Sequence, residues 1–193
     1  FTWDGHPMDE KLPLLRANES LSRAGLRMLK SAGMPGHEVL FTNSGVEQEF
    51  FLIDADYALA RPDLLMTGRT LCGNVPPRGQ KLDDHYFGEL NERTMQLIND
   101  VERELWKLGI PQTTRHKEVA PAQYELAPVF TTSNIASDHN ILTMETIQRV
   151  AHHYGMEAIF HEKPFAGVNG SGKHNNWSVG TNANGCVFNP TAE

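Results

Sequence analysis

The stretch FTNSGVEQEFFLID, residues 41–54, constrains the fold of this chain more than any other. Its 45–54 portion has the apolar run of a buried strand, Phe50, Phe51, Leu52 and Ile53, with Glu47 and Glu49 immediately before it. Side chains alternate between the two faces of a strand, so Glu47 and Glu49 point the same way. At a rise of roughly 3.3 Å per residue they lie about 7 Å apart. Two like charges on one face beside apolar neighbours are costly unless something positive lies between them. The strand therefore calls for a sheet that buries its apolar positions and for a cation near its carboxylates.

A chain of 193 residues is long enough for one domain with a real core. Its formal charge of −7, from 24 acidic against 17 basic residues, disfavours nonspecific nucleic-acid binding and suits a site that gathers carboxylates around metal. The two cysteines, Cys72 and Cys186, are far apart and form no CxxC pair, which fits a reduced compartment and speaks against a structural zinc site. No apolar run approaches the roughly 18 residues of a membrane span, and no signal peptide is visible. The start at Phe1 and the stop at Glu193, just after an Asn-Pro turn signal, read as a piece of a longer polypeptide.

No internal repeat, low-complexity tract or long Gly/Ser linker interrupts the chain, so one continuous domain is expected. Residues 12–31 read as a helix with Leu14, Leu15, Leu21, Leu26 and Leu29 as a loosely periodic apolar face, ended by Gly33 and Pro35. Residues 68–82, with Gly68, Gly73, Pro76, Pro77 and Gly79, read as an exposed excursion. The spacing of Phe87, Leu90, Leu97, Val101, Leu105 and Leu108 predicts a helix over 83–108, with Asp83 and Asp84 at its positive N-terminus and Gly109 at its end. A further helix is expected over 138–154, with Ile141, Met144, Ile147, Val150 and Ala151 inward. A short strand, AIFHEK, and a Gly-rich turn into another strand, GVNGSGKHNNWS, follow. Helices mixed with strands in hairpin-like succession predict an α+β fold with a mainly antiparallel sheet.

Two further stretches bear on chemistry. In HKEVAPAQYEL, residues 116–126, Glu118 and Glu125 are seven apart, which in one regular strand puts them on opposite faces. Pro121 cannot donate a ladder hydrogen bond, so a bulge or bend there could bring both carboxylates to one side; alternatively each is a solvated strand residue. In NGSGKH, residues 169–174, Gly170 and Gly172 permit close approach of backbone N–H groups to an anion. Lys173 could add a point charge and His174 a metal ligand; alternatively this is a glycine hairpin with a surface histidine. Taken together, four carboxylates and one imidazole meet the demand of two hard divalent cations, Mg²⁺ or Mn²⁺. Two such cations would offset the clustered charge and bind polyphosphate, the layout of phosphoryl transfer.

GVEQEFFL, HKEVAPAQYEL and HEKPFAGVNGSGKHNNWS resemble the catalytic-domain signatures of glutamine synthetase. LPLLRANESL, LARPDL, MTGRTLCG, LDDHYFG, ELWKLGIP and NIASDHN further resemble its large type III branch. The resemblance runs through nearly the whole chain and covers the front part of the catalytic domain. It implies a curved, mainly antiparallel sheet with helices on its outer face, incomplete here, with residues 1–11 as the link from a small N-terminal domain. It implies that Glu47 and His174 ligate the metal on the ATP side, and that Glu49, Glu118 and Glu125 ligate the metal on the glutamate side. Asn169 and Gly170 are implied to contact the α-amino and carboxylate ends of glutamate, and Asn176 and Ser178 the nucleotide. Asn176 departs from the pattern, standing where many members carry a second histidine. Lys173 replaces an apolar residue and receives no role.

The reaction so implied makes L-glutamine from L-glutamate, ammonia and ATP through a γ-glutamyl phosphate. The sixth metal carboxylate, the phosphate-binding arginines and a flap over glutamate are expected beyond Glu193, so negligible activity is expected from this piece alone. Two other readings stand beside it: a ligase for a different amine, and a noncatalytic regulatory or binding paralogue. The resemblance also implies a cytoplasmic homo-oligomer, a dodecameric ring in the whole protein, with no nucleic-acid or membrane partner.

Overall fold

The computed structural model describes residues 1–183 and 185–189. Along the chain run α1 (Leu12–Ser31), β1 (Leu40–Asp54), α2 (Ala55–Leu59), α3 (Pro62–Thr67), α4 (Glu92–Lys107), β2 (Gln112–Lys117), β3 (Gln123–Pro128), β4 (Thr131–Thr132), α5 (Ser133–His153), β5 (Met156–Ile159) and β6 (Lys173–Thr181). The strands make one sheet in the order β2-β3-β1-β4, with β5 and β6 also pairing with β1. The pairings of β1 with β3, β4 and β5, and of β2 with β3, are antiparallel, as the α+β expectation requires. The chain forms two compact units, one of residues 1–45, 130–138 and 176–193, the other of residues 46–129 and 139–175.

In the larger unit the second half of β1 is covered on both faces. Phe50 and Leu52 join Tyr124 and Leu126 of β3, Leu97, Ile98, Val101 and Leu105 of α4, and Ile147, Val150 and Ala151 of α5. Phe51, on the opposite face, packs with Ala120, Ile159 and Val168, with Phe165 alongside. Burial on both faces is why this segment reads as a continuous apolar run rather than an alternation.

The long helix begins later than its apolar spacing suggests. Asn91 caps it, its side chain accepting from the Thr94 N–H at 2.9 Å, and Glu92 opens the first turn. Residues 83–91 are instead turns, a bend and irregular chain, and Phe87 is 88% exposed. Asp83 and Asp84 do not serve a helix N-terminus. Asp83 accepts from the Gly79 N–H and Asp84 from the Ala122 N–H. Leu108 lies just past the helix and is also exposed. The last long helix begins at Ser133 rather than at 138, and Ile141 is 57% exposed, so the buried stripe in its second half is Thr143, Thr146, Ile147, Val150 and Ala151. The strand expected at 158–163 runs from Met156 to Ile159. The excursion over 68–82 is largely exposed, tied down where Thr70 donates its N–H to the Pro164 carbonyl.

In the smaller unit α1 starts with Pro13 in its first turn, where the missing N–H costs no hydrogen bond. It packs Leu26 and Leu29 against Leu40, Val179 and Val187. Leu15 and Leu21 face solvent, so the expected five-leucine face shrinks to the C-terminal end of the helix.

Candidate active site

The β2–β3 hairpin explains how two glutamates at an odd spacing meet. Glu118 and Glu125 do not share a strand: Glu118 opens the turn after β2 and Glu125 lies within β3. The turn is fixed from several sides. Ala122 takes the left-handed conformation at φ 57°, the Glu118 N–H donates to the Gln123 carbonyl at 2.8 Å, and the Ala120 N–H donates to Gln123 Oε1 at 3.0 Å. Lys117, only 2% exposed, donates its ammonium to the Ala120 carbonyl at 2.5 Å and the Glu118 carbonyl at 3.1 Å, with Asp84 at 3.4 Å. Burial pulls the Lys117 pKa down, and the Asp84 charge opposes that shift.

Register then sets three side chains abreast. Glu49 of β1 lies opposite Glu125 of β3, which lies opposite His116 of β2. Paired residues share a face of the sheet, so this row projects together. His116 Nε2 is 2.9 Å from Glu125 Oε1, its Nδ1 is 3.5 Å from Glu118 Oε1, and the Tyr86 ring rests against it at 5.1 Å between centroids. One ligand atom from each of His116, Glu118 and Glu125 lies within 4.8 Å of the others. Glu47, two residues before Glu49, faces His174, whose Nδ1 is 2.9 Å from Glu47 Oε2. Glu49 is held differently: its Oε2 accepts from the Gly172 N–H at 2.9 Å and from Gln123 Nε2 at 3.3 Å.

Glu47, Glu49, Glu118, Glu125 and His174 thus line one open cavity of about 420 Å³, together with His116, Tyr86, Thr114 and Ala127. No lysine or arginine is among these lining residues. The electrostatic cost is visible. Burial, and then the neighbouring Glu49 charge, raise the Glu118 pKa. Burial raises that of Glu125, and Glu47, Glu118 and Glu49 add to the shift against the opposing pull of His116. Burial opposes protonation of His116, but the Lys117 carbonyl and the Glu125 and Glu118 carboxylates outweigh it and raise its pKa. A cavity of hard oxygen donors with two imidazoles and this excess of negative charge has the donor set of divalent cations.

The glycine loop is built against this cavity. Gln123, buried, donates its Nε2 to the Gly170 carbonyl at 2.9 Å and the Ser171 hydroxyl at 3.1 Å. A Cβ on Gly170 would come 2.1 Å from the Glu162 carbonyl oxygen, so only glycine fits there. Asn169 is exposed and bonded to Gln80, and it does not line the acidic cavity. Lys173 opens β6, exposed. Asn176 and Ser178 belong to the smaller unit, where Asn43 Nδ2 donates to Ser178 Oγ at 3.4 Å. Sequence reasoning assigns no role to His116, although it stands two residues before Glu118, the same spacing that marks Glu47 and Glu49. Tyr86 enters from a distant loop and carries no such signal.

A family model, "Glutamine synthetase, catalytic domain", matches residues 20–193. Among curated proteins, the type-3 glutamine synthetase of Dictyostelium discoideum is 50% identical over 98% of this chain and 26% of its own length. A glutamine synthetase of Butyrivibrio fibrisolvens is 48% identical over 98% of this chain and 27% of its own length. The chain therefore spans about a quarter of the length of these relatives. Among solved structures, a GmaS/ADP complex matches at a TM-score of 0.60 and 23% identity, covering 89% of this chain and 35% of that one. The cryo-EM structure of Plasmodium falciparum glutamine synthetase matches at 0.60 and 19%, with the same coverage; at these identities the likeness is one of fold. A family model spanning nearly the whole chain, on a sheet that sets its glutamates around one cavity, shows that the chain belongs to the glutamine synthetase catalytic-domain family.

Proposed function

We propose that this chain is the front part of the catalytic domain of a type III glutamine synthetase, with residues 1–11 as the link from a preceding domain. The whole protein ligates ammonia to the side-chain carboxylate of L-glutamate using ATP. That carboxylate attacks the γ-phosphorus, ADP leaves, and ammonia displaces phosphate from the resulting acyl phosphate. One observation carries the reading: Glu47, Glu49, Glu118, Glu125 and His174 line a single cavity with no lysine or arginine among its lining residues.

Glu47 and His174 would hold one divalent cation, and Glu49, Glu118 and Glu125 would hold the other. When bound, the two Mg²⁺ or Mn²⁺ ions neutralise charge on the nucleotide and on the transferring phosphoryl group. The protein's share is positioning. The Gly172 N–H and the Gln123 amide aim Glu49, and the pinned hairpin turn sets Glu118 beside Glu125. Asn169 and Gly170 take the α-amino-acid end of glutamate, and Asn176 and Ser178 contact the nucleotide. In this reading the whole protein is a cytoplasmic homo-oligomer, a dodecameric ring. No helix among the described residues is long and apolar enough to cross a membrane.

The test is turnover by the full-length protein. Glutamate, ammonia and ATP should yield glutamine and phosphate one for one, a chelator should abolish the reaction, and Glu125→Ala, the loss of a direct ligand, should lower the rate by at least the roughly 10- to 100-fold typical of losing a residue that only supports one. ATP turnover with another amine and none with ammonia would identify a ligase of different specificity. No nucleotide turnover with any amine would identify a noncatalytic paralogue.

A further inference from the structure

Gln80 and Asn169 are 89 residues apart in sequence and joined by two hydrogen bonds. Gln80 Nε2 donates to Asn169 Oδ1 at 2.9 Å, and the Asn169 backbone N–H donates to Gln80 Oε1 at 2.8 Å. One carboxamide thereby engages the main chain and the side chain of the same residue. Such a pair fixes the side-chain torsions of Asn169 as well as its backbone, and it leaves the Asn169 Nδ2 donors unspent.

The loop itself does not need this contact to keep its path. Its backbone is pinned immediately afterwards, where Gln123 Nε2 donates to the Gly170 carbonyl at 2.9 Å and the Ser171 N–H donates to the Glu162 carbonyl at 2.8 Å. Asn169, by contrast, is exposed, between Gly167 at φ 80° and Gly170. An exposed asparagine in such a loop keeps its rotamer freedom unless a partner removes it. What Gln80 adds is therefore orientation of one amide. Gln80 is itself anchored. The Asp84 N–H donates to the Gly79 carbonyl at 3.1 Å, and Asp84 accepts from the Ala122 N–H at 3.2 Å and lies 3.4 Å from the Lys117 ammonium. The exposed excursion is thus tied by Asp84 to the hairpin that carries Glu118, and by Gln80 to Asn169.

We propose that Gln80 is a positioning residue for the amino-acid substrate, holding the Asn169 carboxamide in the orientation that receives the α-amino-acid end of glutamate. This rests on the assignment of Asn169 to glutamate made above, and it extends that site to a residue of the 68–82 excursion. Removing the partner frees Asn169 to rotate, so the cost falls on binding of glutamate alike in the ground state and the transition state. Loss of uniform binding raises KM and spares kcat.

The experiment compares Gln80→Ala, Asn169→Ala and the double variant in the full-length protein. It measures kcat, KM for glutamate, KM for ATP and thermal stability, and calorimetric titration with glutamate gives the same comparison without turnover. Gln80→Ala should weaken glutamate binding roughly three- to tenfold, the range of a lost hydrogen bond. Its kcat, ATP KM and melting temperature should match wild type. Asn169→Ala should weaken glutamate binding at least as much, and adding Gln80→Ala to it should cost nothing further, as expected of residues acting through one another. If Asn169→Ala weakens glutamate binding and Gln80→Ala does not, the positioning role is wrong and the assignment of Asn169 stands. If Asn169→Ala binds glutamate as wild type does, that assignment fails and the proposal with it. A Gln80→Ala protein that loses stability and ATP affinity in proportion would show a purely structural residue and overturn the proposal.

Discussion

Glu49 is tied to the glycine loop and to β3, and these partners differ from the one that faces Glu47 two residues earlier. Glu49 receives two donors, the Gly172 N–H and the Gln123 amide, whereas Glu47 faces an imidazole. The two should therefore fail differently when removed. In the full-length protein, titration with Mn²⁺ should show two sites in wild type and one in each alanine variant. Glu47→Ala should lose the site strengthened by nucleotide. Glu49→Ala should keep that site and lose the one strengthened by glutamate. Two wild-type sites in both variants would remove these carboxylates from the ligand set. At this scale much of the site was legible. Period-two spacing is a property of any strand, so Glu47 and Glu49 had to share a face. The pairing of Glu118 with Glu125 was legible only as a bend near Pro121. Its cause is a left-handed Ala122 and a buried Lys117, and neither announces itself in a sequence. Tyr86 and the Gln80–Asn169 pair depend on long-range approach and have no local signature.

The elements show where periodicity misleads. Leu97, Val101 and Leu105 recur at helical spacing and are fully buried on α4, but Phe87 continues the same spacing outside the helix and is exposed. Spacing cannot distinguish a helical turn from a chain that happens to keep the interval. The cap can, and Asn91 outranks Asp83 and Asp84 because those two are engaged with Gly79 and Ala122. Two substitutions separate the cases. Leu97→Ala leaves a cavity in the core between α4 and the sheet and should cost about 2–5 kcal/mol. Phe87→Ala should change stability by no more than about 0.5 kcal/mol. Equilibrium denaturation of the full-length protein reads both, and equal losses would mean that residues 83–91 pack as part of the helix after all. Among the strands β1 is the readable one, because it is buried on both faces and its apolar run has no other use, whereas the second acidic stretch folds as the β2–β3 hairpin rather than as one strand.

Over the whole molecule the governing fact is charge. The chain carries a formal −7, and part of that excess is concentrated in the cavity where Glu47, Glu49, Glu118 and Glu125 converge without a lysine or arginine among the lining residues. Folding brings these carboxylates together and draws some of them out of water, which costs free energy in the absence of a cation. A divalent ion that binds the folded cavity and not the unfolded chain adds RT ln(1 + [L]/Kd), about 2.7 kcal/mol when the free ion is at 100 times its Kd. Mn²⁺ should therefore raise the melting temperature of the full-length protein in a concentration-dependent way, and a chelator should reverse it. The two compact units need not melt together, so the comparison belongs to the transition that moves with the ion. Glu125→Gln separates the two contributions. It removes one like charge from the cavity and should make the metal-free protein no less stable than wild type, while taking away a large part of the Mn²⁺-dependent rise. If Mn²⁺ raised the variant and the wild type equally, the stabilising ion would be bound elsewhere, and the convergence of carboxylates on this sheet would need another counter-charge to account for it.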